Sequence, residues 1–373
     1  MNNVAIFSIH PAPYRDPLYT FISKNSERLG FDVKVFYYQS IDSGHAYWML
    51  SSHQYQFEVI KPFLSLKKSS VQLHLSCLKL IFSKKYKVLT FPGFMHLTSN
   101  IGMLLCILFK KKFAIEADSV EDNSSRIRLL LKKFYYKNAL YVMVPGNRSS
   151  IYHEEKYGIA QEKIIKGCYL FDVCTLRKEI DECRTIPDLR EKFGIPGYKK
   201  VFLMVANLLP NRMYPLTVNA FESLVKEFPD LFFLMVGSGT DCKVVESYIN
   251  KKTENFKLIQ GTSFEEIKKI YSIADVYLHS GKEAYSSALV IGAIAGLPLI
   301  SSYQIGAAWD VIEDGESGFL VEDYKSMQNW AAVIKKAYLN SAKWQDMGKI
   351  AFEKVSKFTL EETAEQIRTM IIR

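Results

Sequence analysis

The side chains of this 373-residue chain best suited to an anionic ligand sit in its second half. Ser280-Gly281-Lys282-Glu283-Ala284-Tyr285-Ser286-Ser287 runs into an apolar helix pattern. The N–H groups of Tyr285, Ser286 and Ser287 then lie at the positive end of a helix dipole, which is an anion site. Glu283 just before it reads either as an ordinary helix N-terminal carboxylate or as a contact for a ligand hydroxyl. Upstream, Asn207 and Arg212 follow the apolar run 200–205. A fixed cation beyond a strand end can hold a diphosphate through bonds worth about 1.5–3 kcal/mol each; the alternative is an exposed loop arginine. Gly237-Ser238-Gly239 has only two glycines of a dinucleotide fingerprint and reads first as a tight βα turn.

In the first half, His10, Arg15, Glu116, Asp118, Glu121 and Asp122 fall near the ends of apolar runs. Any of these could be a general base or a ligand for an acceptor hydroxyl. The competing readings are a loop histidine bonded to its own backbone and solvated loop carboxylates.

The elements that must position these groups follow from periodicity. A strand at 4–9, a Pro-rich loop from His10 to Arg15, a helix near 17–29 ending at Gly30 and a strand at 32–38 form a βαβ unit, which implies a parallel sheet. Further strands are expected at 88–91, 113–116 and 141–144, with a basic, apolar helix at 125–137. The second half restarts the rhythm, with strands at 200–205, 231–236, 256–259, 275–278 and 299–301. Helices are expected at 216–227, 240–251, 263–273 and 285–295. Ser263 with Glu266 makes a capping-box pattern. Late helices are expected at 330–338, 342–358 and 361–372. The expected architecture is two doubly wound domains, 1–178 and 190–357, with a ligand cleft between the C-terminal edges of their strands.

Composition narrows the classes. Apolar content of 48% and charged content of 23% are globular. The six cysteines form no CxxC pair and the seven histidines no metal-like pattern, as for reduced thiols in a cytosolic protein without a structural metal. The N-terminus lacks the pattern of a secretory signal. The apolar run 101–109 is nine residues, against roughly 20 needed to span a bilayer. Residues 1–185 hold 26 Lys+Arg against 16 Asp+Glu, so the net +9 arises entirely there. Lys67, Lys68, Lys79, Lys84, Lys85, Lys87, Lys110 to Lys112, Arg126, Arg128, Lys132 and Lys133 lie among Leu, Phe and Tyr, as in segments that bind anionic membrane surfaces. A nucleic-acid partner is not expected, since no recognisable aromatic-basic module is present.

Five blocks in order carry a resemblance: 205–212 (VANLLPNR), 234–239 (LMVGSG), 274–283 (ADVYLHSGKE), 295–300 (AGLPLI) and 310–321 (DVIEDGESGFLV). Together they resemble the retaining GT-B glycosyltransferases of the glycosyltransferase 4 group, bacterial surface-polysaccharide type. Ala12-Pro13-Tyr14-Arg15 is similar to such members too. The resemblance implies a GT-B fold, with an N-terminal acceptor-binding domain and a C-terminal nucleotide-sugar-binding domain. The last helix, within 358–373, would pack back on the first domain. It implies a metal-independent, cofactor-free hexosyltransferase using a UDP-sugar or another nucleotide-sugar donor. The acceptor would be a growing O-antigen, capsule or exopolysaccharide, lipid-linked at the inner face of the plasma membrane. Arg212 matches a donor-diphosphate Lys, and Glu283 the first Glu of a Glu-x7-Glu signature that contacts the donor sugar; these two are the catalytic candidates. Asn207, Gly237, Gly239, Thr262, Tyr285, Ser286 and Ser287 form the donor-binding set. His10, Arg15, Glu116 and Asp118 are the acceptor-side set. The second signature Glu falls on Ile291 and the family's Arg on Asn207. A sugar-nucleotide epimerase of the same architecture and a non-catalytic glycan- or nucleotide-binding partner are the alternatives.

Overall fold

Apolar runs too continuous for half-exposed strands become the central strands of two parallel sheets, each buried on both faces. A computed structural model of the chain describes residues 2–39, 54–65, 72–249 and 254–372. The chain divides into two units, Met1–Asp172 with Phe358–Arg373, and Val173–Lys357.

In the first unit the strands are β1 (Asn2–Ser8), β2 (Phe31–Tyr37), β3 (Gln56–Val59), the short antiparallel pair β4 (Leu64–Ser65) and β5 (Gln72–Leu73), then β6 (Tyr86–Pro92), β7 (Lys112–Glu116), β8 (Val142–Val144) and β9 (Ile164–Lys166). Seven of them form one sheet in the order β3-β2-β1-β6-β7-β8-β9, all parallel. The chain leaves β1 in one direction and returns at β6 on its other side, so the topological switch lies between β1 and β6, where α/β sheets bind ligands. The first helix, Asp16–Lys24, takes Pro17 in its first turn, and Gly30 at φ 71° ends the short helix that follows. The helix Leu360–Ile372 belongs to this unit, burying Ala364, Ile367 and Ile371 in the core that holds Val4, Leu18 and Val33. The apolar run 101–109 lies within and just beyond the helix Leu97–Leu108, with Gly102, Met103 and Cys106 buried and Leu104, Leu108 and Phe109 exposed. Among the described residues no helix is long and apolar enough to cross a membrane.

The second unit holds β10 (Lys200–Val205), β11 (Leu231–Val236), β12 (Phe256–Ile259), β13 (Val276–His279), β14 (Leu299–Ser302) and β15 (Gly318–Val321). They pair in parallel in the order β12-β11-β10-β13-β14-β15, with the switch between β10 and β13. Its core stacks Phe221 on Phe233 at 4.2 Å and buries Trp330 completely. Each such ring contributes about 1.5–3 kcal/mol relative to exposure. The unit begins at Val173, not near 190. The helix Val173–Arg184 packs on the helices Phe264–Ser272 and Ser287–Ile294, which moves the expected boundary at 178 back to 172.

Candidate functional site

Three loops meet at the C-terminal edge of β10, β13 and β14. The turn Pro210–Arg212 follows β10, residues 280–286 follow β13, and residues 303–307 follow β14. Lys282 N–H donates to the Asn211 carbonyl (3.1 Å), and Asn211 Nδ2 returns a bond to the Lys282 carbonyl (3.1 Å). On the other side, Gly306 N–H donates to the Glu283 carbonyl (3.1 Å), and Glu283 N–H to the Gln304 carbonyl (3.4 Å). Two glycines permit this contact. Gly281, at φ 84°, lies where any Cβ would overlap the Asn211 carbonyl oxygen, and a Cβ on Gly306 would overlap that of Ala284. The loop bearing Glu283 is therefore fixed from both sides by backbone.

This framework brings Glu283 and Arg212 together. Arg212 Nη2 lies 2.7 Å from Glu283 Oε1, and Arg212 Nη1 donates to the Lys282 carbonyl (3.0 Å). The guanidinium is only 6% exposed and the Glu283 side chain 31%. Arg212 Nε has no hydrogen-bond partner among the described residues. His279, the last residue of β13, places Nε2 3.1 Å from Glu283 Oε2, while its Nδ1 sits 2.9 Å from the Tyr277 hydroxyl. Burial pushes the Glu283 carboxyl up. The His279 hydrogen bond and the neighbouring Arg212 outweigh that and hold it below the usual carboxylate range. The His279 imidazole is held below its ordinary value because burial disfavours its charged form.

Ser286 caps the helix Ser287–Ile294, its Oγ accepting from Leu289 N–H (3.2 Å). The Ser287 and Ala288 N–H groups, one turn too early for an intrahelical acceptor, stand at the positive end of that helix's dipole. Tyr285 and Ser286 are buried beside it and Ser287 is half-buried. Thr262 donates to Glu266 Oε2 (3.1 Å), so its hydroxyl serves the cap of the helix Phe264–Ser272. Gly237 and Gly239 face backbone: a Cβ on either would overlap the carbonyl oxygen of Ala206 or Leu208. The carbonyl of Asn207 accepts the Tyr214 hydroxyl. Ile291 is fully buried in the helix core.

In the first unit a cavity of about 250 Å³ opens at the β1/β6 switch, lined by Arg15, Glu116 and Asp118 together with Met95, Arg128 and Lys132. Glu116, at the end of β7, accepts from the Tyr19 hydroxyl (3.3 Å) and lies 3.9 Å from Arg15 Nε. Burial pushes its carboxyl above the usual range, against the opposing effects of Arg15 and Tyr19. Arg15 also donates to Ser8 Oγ (3.2 Å) and lies over the rings of Tyr14 and Tyr169, which stack at 4.4 Å. Asp118 is exposed and accepts from the Tyr169 hydroxyl (3.1 Å). His10 stands outside the cavity lining, its Nδ1–H donating to the Pro11 carbonyl (2.8 Å). Asp122 is bound to Lys132 (2.9 Å) and Tyr157, a structural role.

Sequence reasoning missed His279, Tyr277 and Tyr169. The available signals were a histidine four residues before Glu283 and the Tyr277/His279 spacing of two, which puts both on one face of a strand.

Residues 185–354, somewhat under half of the chain, match the family model of glycosyl transferases group 1. Spore coat protein SA of Bacillus subtilis is 25% identical over 195 residues, 49% of this chain and 51% of that protein. The alpha-monoglucosyldiacylglycerol synthase of Acholeplasma laidlawii is 31% identical over 135 residues, 35% of this chain and 33% of the synthase. The chain thus spans about half, or less, of these relatives. Among solved structures, Anabaena HepE in complex with UDP superposes with a TM-score of 0.73 at 16% identity, covering 98% of each chain. A glycosyltransferase from Rickettsia africae gives 0.74 at 17% identity, covering 100% of this chain and 99% of that one. The fold is the GT-B fold of two Rossmann-like α/β domains.

Proposed function

We propose that the chain transfers a hexose from a nucleotide sugar, a UDP-sugar in the first instance, to a lipid-linked intermediate of a cell-surface glycan. The reaction retains anomeric configuration, needs no metal, and takes place at the cytoplasmic face of the plasma membrane. The observation that carries this reading is the Glu283 carboxylate held between Arg212 and His279 beside a helix N-terminus at the sheet's switch point. A fixed carboxylate suits sugar hydroxyls; Arg212 Nε–H and the free helix N–H groups suit a departing diphosphate. UDP as the nucleotide draws support from the Anabaena structure, which holds UDP. A lipid-borne acceptor draws support from the Acholeplasma relative, which by its name makes a glucosyldiacylglycerol. Asn207, Gly237, Gly239, Thr262, Tyr285, Ser286 and Ser287 would surround the donor. Arg15, Glu116 and Asp118, with His10 nearby, would meet the acceptor on the first unit.

Membrane contact is assigned to the helix Arg126–Asn138, where Ile127 (81%) and Leu130 (67%) are exposed beside Arg126, Arg128 and Lys133. Lys67 and Lys68 of the basic set lie outside the described residues. Each exposed cation near an anionic surface adds about 1 kcal/mol. Sedimentation with anionic vesicles should be salt-sensitive and lost in a Ile127→Ser, Leu130→Ser variant; full recovery in the supernatant at low salt sinks this part.

Glu283→Gln and Arg212→Ala should each lower sugar transfer at least a hundredfold while circular dichroism still reports folded protein. Near wild-type transfer in both overturns the assignment. Chelator should leave the rate unchanged. One observation favours a second reading, a binding partner without transfer activity: Ile291 stands where the family carries its ribose-binding Glu. Thermal stabilisation by a UDP-sugar with no transfer to any glycolipid would select it.

A further inference from the structure

Glu283 cannot hold its orientation by Arg212 alone, because one strong bond at Oε1 leaves the carboxylate free to rotate about its last torsion. The second oxygen meets His279, which is 1% exposed and enters from behind, out of the strand. The hydrogens around this ring can be counted. Tyr277 has one hydroxyl hydrogen, which the Val205 carbonyl (3.1 Å) or His279 Nδ1 (2.9 Å) can accept, while the neighbouring Tyr271 hydroxyl spends its own hydrogen on the Ala288 carbonyl (2.7 Å). With Glu283 ionised beside Arg212, His279 Nε2 must carry a hydrogen to face Oε2. A neutral ring then leaves Nδ1 bare, and the Tyr277 hydroxyl donates to it.

We infer that His279 is the positioning residue of Glu283, a neutral imidazole whose Nε2–H fixes Oε2 while Arg212 fixes Oε1. Tyr277 sets the tautomer, and the carboxylate keeps its outward lone pairs for a ligand hydroxyl. The last clause rests on the transferase reading; the placement of the ring does not. The titratable groups facing the pair are Arg212 from the turn after β10, Tyr214 from the helix Tyr214–Val225, and Tyr277 from β13 itself. Ser286 Oγ, 3.4 Å from Nε2, is the remaining polar neighbour. Arg212 and the Nε2–H both favour the carboxylate, and Tyr277, donating to Nδ1, favours neutral His279 over imidazolium.

The test uses the full-length chain and three variants. His279→Phe keeps the ring volume and removes the donor, His279→Gln keeps a donor near Nε2, and Tyr277→Phe frees the tautomer. The first readout is independent of activity: the ¹³C-carboxyl titration of Glu283, identified by its loss in Glu283→Gln, and the ¹⁵N tautomer of His279. Wild type should show Nε2–H and a depressed Glu283 midpoint. His279→Phe should raise that midpoint and His279→Gln should bring it back. Tyr277→Phe should give a mixed tautomer and an intermediate midpoint. The second readout is the pH profile of kcat/KM for the donor. Its acidic limb should move up in His279→Phe, with a loss of roughly tenfold to a hundredfold at pH 6, the range of one hydrogen bond to a charged group. His279→Gln should recover most of it. An unchanged Glu283 midpoint in His279→Phe, or an Nδ1–H tautomer in wild type, overturns the inference. If His279→Phe does not fold, the Gln and Tyr277→Phe variants decide by the same two signals. Absence of transfer in wild type with the expected titrations defeats the transferase reading and leaves the positioning role standing.

Discussion

The Arg212–Glu283 contact can be weighed by a double-mutant cycle of Arg212→Met and Glu283→Ala. Exposed ion pairs contribute about 0–1 kcal/mol, and breaking a fully buried one costs about 3–5 kcal/mol. With one side chain 6% exposed and the other 31%, this pair falls between, and a coupling of about 2 kcal/mol is expected. The two single variants should differ. Glu283→Ala leaves a buried guanidinium with the Lys282 carbonyl and an Nε without an acceptor among the described residues, so it should cost about 3 kcal/mol. Arg212→Met leaves a carboxylate that keeps His279 and partial access to water, and should cost about 2 kcal/mol. For a domain of this size 1 kcal/mol moves Tm by about 2–4 °C, so Glu283→Ala should lower it by roughly 6–12 °C. Urea unfolding followed by tryptophan fluorescence reads the second unit through Trp309, Trp330 and Trp344. Because the folded-state carboxyl is depressed, the coupling is present above the ordinary carboxylate range and fades only as pH falls below it. Coupling under about 0.5 kcal/mol, or a larger loss in Arg212→Met than in Glu283→Ala, refutes the reasoning.

Gly306→Ala should cost about 2–4 kcal/mol in the same assay, since the new methyl meets the Ala284 carbonyl oxygen; near wild-type stability contradicts the crossing of the two loops. In the first unit, Glu116 is raised in the folded state, so its favourable contribution is present below the unfolded range and lost as pH rises through the folded value. Glu116→Gln should therefore gain stability relative to wild type as pH rises above the ordinary carboxylate range, read by scanning fluorimetry, and a constant difference counts against burial as the cause.

Much of the second unit was legible in the sequence. Strands 231–236 and 256–259 coincide with β11 and β12, because continuous apolar runs between turn residues have few other uses. Ser263 caps its helix as the pattern implied, but Glu266 bonds Thr262 instead of reaching back to the Ser263 N–H, so only half of the capping box forms. Edge strand β3 was not read although Gln56-Phe57-Glu58-Val59 alternates polar and apolar residues; the run is only four residues long and all four are exposed. Arg212 and Glu283 were singled out as candidates through the family resemblance, where residue type and position alone left ordinary readings open. The link between them, through residues 71 apart, depends on how three loops pack. His279 was missed for the same reason: a lone strand histidine is ordinary until the following loop folds its carboxylate back onto it. For Gly237 and Gly239, the backbone crossings against Ala206 and Leu208 are contacts 31 residues apart that spacing does not display, whereas the Thr262–Glu266 bond spans only four residues.

The helix Val173–Arg184 has a practical meaning for dissecting the chain. Its Arg177 and Arg184 donate to the carbonyls of Ile294 and Ala295, at the end of a helix that left-handed Gly296 closes, with Gly296 N–H on the Ala293 carbonyl and Leu297 N–H on that of Gly292. The family match starts at residue 185, one residue after this helix ends. A second unit produced on its own and cut at 185 would lose both arginines and bare the face of the helices Phe264–Ser272 and Ser287–Ile294. Autonomous folding of that half has to start at Val173, where the covalent boundary of the fold and the homology boundary part company.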